Sequence, residues 1–307
     1  MSDKTEYRSV LVTRKTRLEE LIERFNTWPQ AKFYLEHNGI SVSDYLQEHD
    51  TYKARVLEAE QCLRAAGRLQ KIERSYLPSY QFSSDEIVVV IGQDGLVANT
   101  LKYLSGQPVI GINPDPARWD GKLLPFETED LPAVFKETLL QRRSTRSITF
   151  AQATTNDGQQ MLAVNDLFIG PKSHTSARYE LRWGARSEVQ SSSGIIISTG
   201  LGSSGWFQSI LSGAMGVTGE QQHALRKGFG WDEQRLQFTV REPFPSRTTG
   251  TQLVFGAITA AERFLLESHM PMHGVVFSDG IEEDFLEFNA GMTLEISVAD
   301  TSGHLVI

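Results

Sequence analysis

One carboxylate stands where chemistry is easiest to arrange. Asp94 lies in Gly92-Gln93-Asp94-Gly95, after the β-branched run 87–91 and before a helical pattern at 97–104. The run reads as a buried parallel strand, and open α/β sheets bind ligands at the carboxyl ends of such strands. A helix start adds unpaired backbone N–H groups that attract phosphate. An acid there would repel phosphate, so its chemistry would be to take a proton or hold a metal. The structural alternative is an Asp that N-caps the helix.

Three other segments depart from a plain core pattern. In Asn113-Pro114-Asp115-Pro116 two prolines fix a turn after a strand, and Asn113 and Asp115 either shape that turn or touch a ligand. Asn165-Asp166 interrupts the apolar run 162–169. Burying two such residues is costly unless they are paired, so they form either a ligand pair or a satisfied turn or bulge. The stretch STGLGSSGW, 198–206, passes from a strand through glycines and hydroxyls into a helix. That is the geometry of a loop for anions or polar ligands, although its composition is a common one.

These residues need elements to hold them. Strand patterns at 8–13, 71–77, 87–91 and, with its turn, 108–116 alternate with helical patterns at 16–25, 43–69, 97–104 and 131–140. Ser43 is the N-cap expected for the longest helix. Alternation of this kind predicts a parallel sheet covered on both faces. Near residue 146 the pattern changes. Residues 147–170 read as two strands joined by Asn156-Asp157-Gly158, a hairpin signal, and further strands follow at 177–183, 189–190, 194–199, 236–240, 252–258, 274–278 and 292–298. Only 203–214 reads as helix in this half. The fold class is therefore α/β plus mainly-β. An N-terminal Rossmann-like domain, 1–145, carries GQDGL, and a C-terminal β-sandwich-like domain, 146–307, carries the ND and TGLGSSGW segments.

The totals agree with a soluble enzyme or binding protein. The chain has 307 residues, 40% hydrophobic and 22% charged, enough for a large core. A net charge of −8 and the absence of a long basic run argue against nucleic acid as the main partner. The single cysteine, Cys62, leaves no disulfide framework, and its helical spacing reads as a packed thiol. With no apolar run of membrane-span length and no signal-like start, a cytoplasmic location is expected, with no membrane partner.

Taken together, GQDGL (92–96), ND within AVNDLFIG (163–170) and TGLGSSGW (199–206) resemble the GGDGT loop, the NE or ND pair and the TGxGS loop of the NAD kinases. VIGINPDP (109–116), SSG (192–194), VREP (240–243), LEFNAG (286–291) and LVTRKTR (11–17) resemble the mitochondrial-type branch and its bacterial relatives. The resemblance follows the family's order through most of the chain and is weakest over 26–80. It implies a two-domain phosphotransferase. ATP or polyphosphate would be the phosphoryl donor, with a divalent metal, magnesium in the usual case. NAD would be the substrate, phosphorylated on the 2′-hydroxyl of its adenosine ribose to give NADP. Asp94 matches the family's catalytic base. Gly92, Gln93 and Gly95, with Asn113 and Asp115, would line the nucleotide site. Asn165, Asp166, Thr199, Gly202, Ser203, Ser204, Gly205, Trp206 and Ser209 would hold the dinucleotide. No residue is assigned to the metal. The family also implies a homodimer or higher oligomer formed through the β domain.

Two residues depart from the pattern: Gln93 replaces a glycine and Leu96 a threonine. A left-handed backbone at 93 would strain glutamine by roughly 1 kcal/mol. Leu96 removes a hydroxyl from the loop. These changes leave a second reading, a degenerate kinase that binds a dinucleotide without turnover. A third reading is a related kinase acting on another hydroxyl, that of a lipid or of a different nucleotide. Against a lipid, Asn165-Asp166 and Trp206 suit a polar, stackable ligand.

Overall fold

The computed structural model describes residues 7–220 and 222–307. These divide into two compact units, one reaching to residue 146 and including 304–307, the other within 147–303.

The first unit contains β1 (Arg8–Thr13), α1 (Arg17–Phe25), α2 (Trp28–His37), α3 (Val42–Ala66), β2 (Arg68–Glu73), β3 (Glu86–Ile91), α4 (Asp94–Leu101), β4 (Pro108–Ile112) and α5 (Leu131–Leu139). Its strands are parallel in the order β2-β1-β3-β4. The chain leaves β1 for β2 on one side and returns to β3 on the other. The order therefore reverses between β1 and β3, the switch point at which doubly wound sheets bind ligands. Continuous β-branched runs suit strands buried on both faces. Leu11, Ile87, Val89 and Ile91 pack with Tyr52, Val56 and Leu63 of α3 and with Leu131, Val134 and Phe135 of α5. The intervening Val10, Val12, Val88 and Val90 are also fully buried.

Sequence periodicity misplaces some elements here. Ser41, not Ser43, caps α3, its hydroxyl accepting from the Asp44 N–H. The strand expected at 71–77 runs over 68–73 and gives way to a 3-10 turn. α2, which the sequence reading left without an element, packs Ala31 and Leu35 against Leu21. Helix α4 starts three residues before the pattern suggested, at Asp94 itself.

The second unit contains β5 (Thr145–Thr155, its first residues lying in the first unit), β6 (Gln160–Ala163), β7 (Asp166–Pro171), β8 (Ala177–Trp183), β9 (Arg186–Ser192), β10 (Ile195–Ser198), α6 (Trp206–Thr218), β11 (Leu236–Val240), β12 (Phe255–Ile258), β13 (Phe264–Ser268), β14 (Gly274–Ser278), β15 (Phe285–Glu287) and β16 (Thr293–Val306). One antiparallel sheet has the order β12-β11-β10-β7-β14-β15. Its inward residues, among them Leu167, Ile169, Ile195, Ile197 and Phe238, meet Tyr179, Leu181, Phe264, Leu266 and Leu294 from the facing strands in one core. Its outward residues Phe168, Ile196, Val275 and Phe277 pack against Trp206 and Ile210 of α6. Residues 147–170 form three strands rather than two, because β6 ends at Ala163 and β7 begins at Asp166. The last residues of β16, from His304, belong to the first unit, where His304 and Leu305 pair in parallel with Pro108 and Val109 of β4. Among the described residues, no helix is long and apolar enough to cross a membrane.

Tyr52 locks the switch point of the first unit. Its buried hydroxyl accepts from the Arg14 N–H at 2.9 Å, just past β1, and donates to the Ile91 carbonyl at 3.0 Å, the last residue of β3. Removing it orphans two backbone groups, each worth about 1–3 kcal/mol when buried and unpaired. Tyr52→Phe should therefore lower the urea unfolding free energy by about 1–3 kcal/mol with little change in slope. A loss within error of zero would show the bridge to be idle.

Candidate functional site

The glycine turn after β3 has a defined geometry. Gln93 is the N-cap of α4 and makes no side-chain cap bond; its φ of −123° is ordinary extended backbone, so the expected strain is absent. Asp94 is not the N-cap. Its half-buried carboxylate reaches a distant loop, accepting the Lys122 N–H at 3.1 Å on one oxygen and the Leu123 N–H at 2.8 Å on the other. That loop is pressed against β4: a Cβ at Gly111 would lie 2.0 Å from the Leu123 carbonyl oxygen. Gly121, at φ 61°, turns the chain so that the two N–H groups present themselves. Each carboxylate oxygen keeps a further lone-pair direction for a ligand proton. Leu96 is buried, and its Cδ2 would stand 3.0 Å from a Cβ at Gly92. It fills space under the loop where the resemblance calls for a hydroxyl.

Asn113 and Asp115 shape their own turn. The Asn113 amide donates to the Trp119 carbonyl at 2.9 Å, its oxygen accepts the Asp115 N–H at 3.1 Å, and Asp115 pairs with Arg118 at 3.4 Å. Arg118 continues into a chain of charges. It binds Asp44 at 2.7 Å, and Arg17 bridges Asp44 and Glu48. Arg118 and Arg17 hold the Asp44 carboxyl down to about 2. Burial opposes ionisation of Glu48, but Arg17 and Arg14 overcome it and keep that carboxyl below its ordinary value. Arg14 binds Glu48 at 3.0 Å and leaves its buried Nε without an acceptor; that nitrogen would lie 3.7 Å from a Cβ at Gly92. Sequence reading assigned Arg14 no role. The available signal was a basic TRKTR run directly after β1.

In the second unit the polar dipeptide occupies the break between β6 and β7. Asp279, just past β14, closes that break. Its carboxylate accepts N–H bonds from Val164 at 3.1 Å, Asn165 at 2.6 Å and Asp166 at 3.4 Å. Its own N–H donates to the Asp166 carbonyl at 2.9 Å. Asp279 adopts a left-handed φ of 54°, a conformation Asp tolerates better than most residues. Asp166 is 8% exposed, and among the described residues its carboxyl accepts no hydrogen bond. Burial, followed by the charge of Asp279, pushes this carboxyl up to about 7. Asp279 is the residue that sequence reasoning missed; an Asp-Gly turn after a strand was its only signal.

The 199–206 loop is tied to the same break. Thr199 donates its hydroxyl to the Val164 carbonyl at 2.6 Å and accepts the Gly202 N–H at 3.1 Å. Ser203 is buried, donating to the Gly200 carbonyl at 2.6 Å and accepting the Phe229 N–H at 3.0 Å. Ser204, Gly205 and Ser209 are exposed. Gly205 is the N-cap of α6 and brings no side-chain cap, so the helix start remains open to an acceptor. Trp206 stacks on Phe168 with ring centroids 5.9 Å apart, and Arg241 lies over the indole at 5.4 Å. Asn165, Asp166, Thr199 and Gly202 are thus brought together, with Ser203 to Trp206 directly following. Asp94, Gly92, Gln93, Gly95, Asn113 and Asp115 belong to the first unit.

Comparison with known proteins matches this geometry at the level of the fold. No protein-family model matches the sequence, and no curated protein is significantly similar to it. Among solved structures, an NAD kinase from Archaeoglobus fulgidus in complex with ATP aligns with a TM-score of 0.57 at 14% identity. That alignment covers 98% of this chain and 93% of the kinase. Yeast NADH kinase complexed with NADH aligns with a TM-score of 0.58 at 12% identity, covering 99% of this chain and 84% of its own. The chain has the fold of these kinases, and the α/β plus mainly-β organisation read from the sequence agrees with it.

Close packing at Gly202 gives a test of the second-unit loop. A Cβ there would lie 2.0 Å from the Asn165 carbonyl oxygen, whereas one at Gly216 of α6 meets nothing. Gly202→Ala should cost about 1–3 kcal/mol by overpacking. Gly216→Ala should be neutral or stabilise by up to about 1 kcal/mol through helix propensity. Thermal unfolding of the two variants reads the contrast, and equal melting temperatures would contradict it.

Proposed function

We propose that this protein is an NAD kinase, transferring a phosphoryl group from ATP or polyphosphate to the 2′-hydroxyl of the adenosine ribose of NAD. The observation that carries this reading is the placement of Asp94. It is a carboxylate at the carboxyl end of β3, beside the switch point, with each oxygen oriented by one backbone N–H. A sugar hydroxyl is a poor nucleophile, and a positioned carboxylate can accept its proton as the bond to phosphorus forms. The proton passes to Asp94, the ribose oxygen bonds to the terminal phosphorus, and the donor's bridging oxygen leaves with its electron pair.

The chain's residues divide these tasks. The glycine turn and the start of α4 would receive donor phosphates, with Arg14 adding positive charge beside Gly92. Asn165 and Asp166 would hold ribose hydroxyls, and the open start of α6 with Ser204, Ser209 and Trp206 would hold the adenosine. Among the described residues no three His, Cys, Asp or Glu side chains converge as a metal site. A divalent metal, magnesium in the usual case for the family resembled, would neutralise the charge of the donor's phosphates. A cytoplasmic location, expected from the sequence, and assembly into a homo-oligomer through the second unit, implied by the resemblance, belong to the same reading.

One observation favours a second reading, a dinucleotide-binding protein without turnover. Leu96 puts a packed apolar side chain where the kinase pattern has a hydroxyl. The two readings part in one assay. Purified protein with NAD, ATP or polyphosphate, and magnesium should form NADP. Asp94→Asn should lower that rate by about 10²–10⁴-fold with little change in NAD affinity. Thermal stabilisation by NAD with no NADP formed from any donor would favour the binding protein instead.

A further inference from the structure

Asp279 does more than fill a turn. Three consecutive N–H groups, from residues 164–166, lie at the break between β6 and β7, and this one carboxylate accepts from all three. The arrangement sets a negative charge beside Asp166, a buried carboxyl that receives no donor among the described residues. Asp166 faces Ser198 across β10, and Leu167 faces Ser278 across β14. Neither serine ionises in the physiological range, and Thr199 on the adjoining loop does not either. The charge that acts on Asp166 among the described residues is that of Asp279.

We propose that Asp279 is a positioning residue for the dinucleotide-binding turn, fixing its backbone and, through its charge, coupling ligand binding at Asp166 to a proton. The proposal rests on the dinucleotide reading above. In the free protein, burial and the neighbouring charge hold a proton on Asp166 up to about pH 7. A vicinal ribose diol offers two O–H donors to one carboxylate, and donors favour the ionised form. Binding below neutrality therefore expels the proton, and affinity rises as pH increases through 7. Without the charge at 279 the proton is held less tightly, and the rise moves to lower pH. Asp279 touches no ligand in this scheme; it acts through Asp166.

The test is calorimetric titration of the whole chain with NAD at several pH values, in buffers of differing ionisation enthalpy so that released protons are counted. Wild-type protein should release close to one proton at about pH 6 and almost none at about pH 8.5, with affinity increasing between them. Asp279→Asn keeps an acceptor for the turn but not the charge. It should release fewer protons at the lower pH, with its affinity curve displaced downward by about one pH unit. Asp166→Asn should bind more weakly and lose the pH dependence near 7. An unchanged proton count in Asp279→Asn, or an affinity that falls as pH rises through 7, overturns the coupling. A wild-type protein that binds no NAD at any pH overturns the dinucleotide reading instead. Carboxyl ¹³C NMR then still decides the role of Asp279, because the Asp166 midpoint must drop in Asp279→Asn. An unmoved midpoint overturns the proposal.

Discussion

A carboxylate accepting backbone N–H groups from a distant loop is the interaction on which both halves of this molecule depend. Irregular segments expose N–H groups that no helix or strand pairs, and burying them without acceptors costs more than most single contacts return. Two aspartates at strand ends meet that need. Asp94, beyond β3, accepts from residues 122 and 123, and Asp279, beyond β14, accepts from residues 164–166. Charge-assisted bonds of this kind are stronger than neutral ones, and they fix the carboxylate as firmly as they fix the loop. Each aspartate is thus a structural strut and a charge of fixed position.

The cores explain why the struts can be so exact. In the first unit β1 and β3 are buried on both faces, and Tyr52 ties their carboxyl ends together. In the second, the six-stranded sheet is covered by the facing strands within and by Trp206, Ile210 and neighbouring aromatic rings without. The residues with chemistry sit at the ends of these rigid elements, where a break in pairing leaves polar groups available. The second unit retains costs there: a left-handed Asp279 and a buried carboxyl on Asp166 with no donor. Costs of this kind collect where a protein binds or reacts.

Much of this was legible in the amino-acid order. The runs at 8–13 and 87–91 and the start of that at 108–116 match the observed strands to within a residue, and their centres are apolar because both faces are buried there. Asn156-Asp157-Gly158 turns β5 into β6 because Gly158 supplies a φ of 87°. Other features were not legible for physical reasons. α2 spreads Trp28, Phe33 and Tyr34 around its axis and buries only Ala31 and Leu35, so its weak amphipathic pattern hid it. The break at 164–165 looks like a polar flaw in one strand, since the acceptor that pays for it is 114 residues beyond Asn165 along the chain. The dual use of Thr199, as donor to one loop and acceptor from its own, likewise arises from a contact across the sheet.

The same distinction clarifies the two departures from the GGDGT pattern. A glutamine at 93 would be costly only if the backbone there were left-handed, and it is extended. The unusual backbone angle falls on Gly92, which is still glycine. Leu96 exchanges a hydroxyl for burial against the underside of the loop, adding apolar packing at the first turn of α4. Neither change reaches the bonds that hold Asp94, because those come from residues 122 and 123 rather than from the loop's own neighbours. The position of Asp94 is therefore insulated from the two departures beside it. What the drift alters is the surface that a donor phosphate would meet: one more side chain at 93 and one fewer hydroxyl at 96.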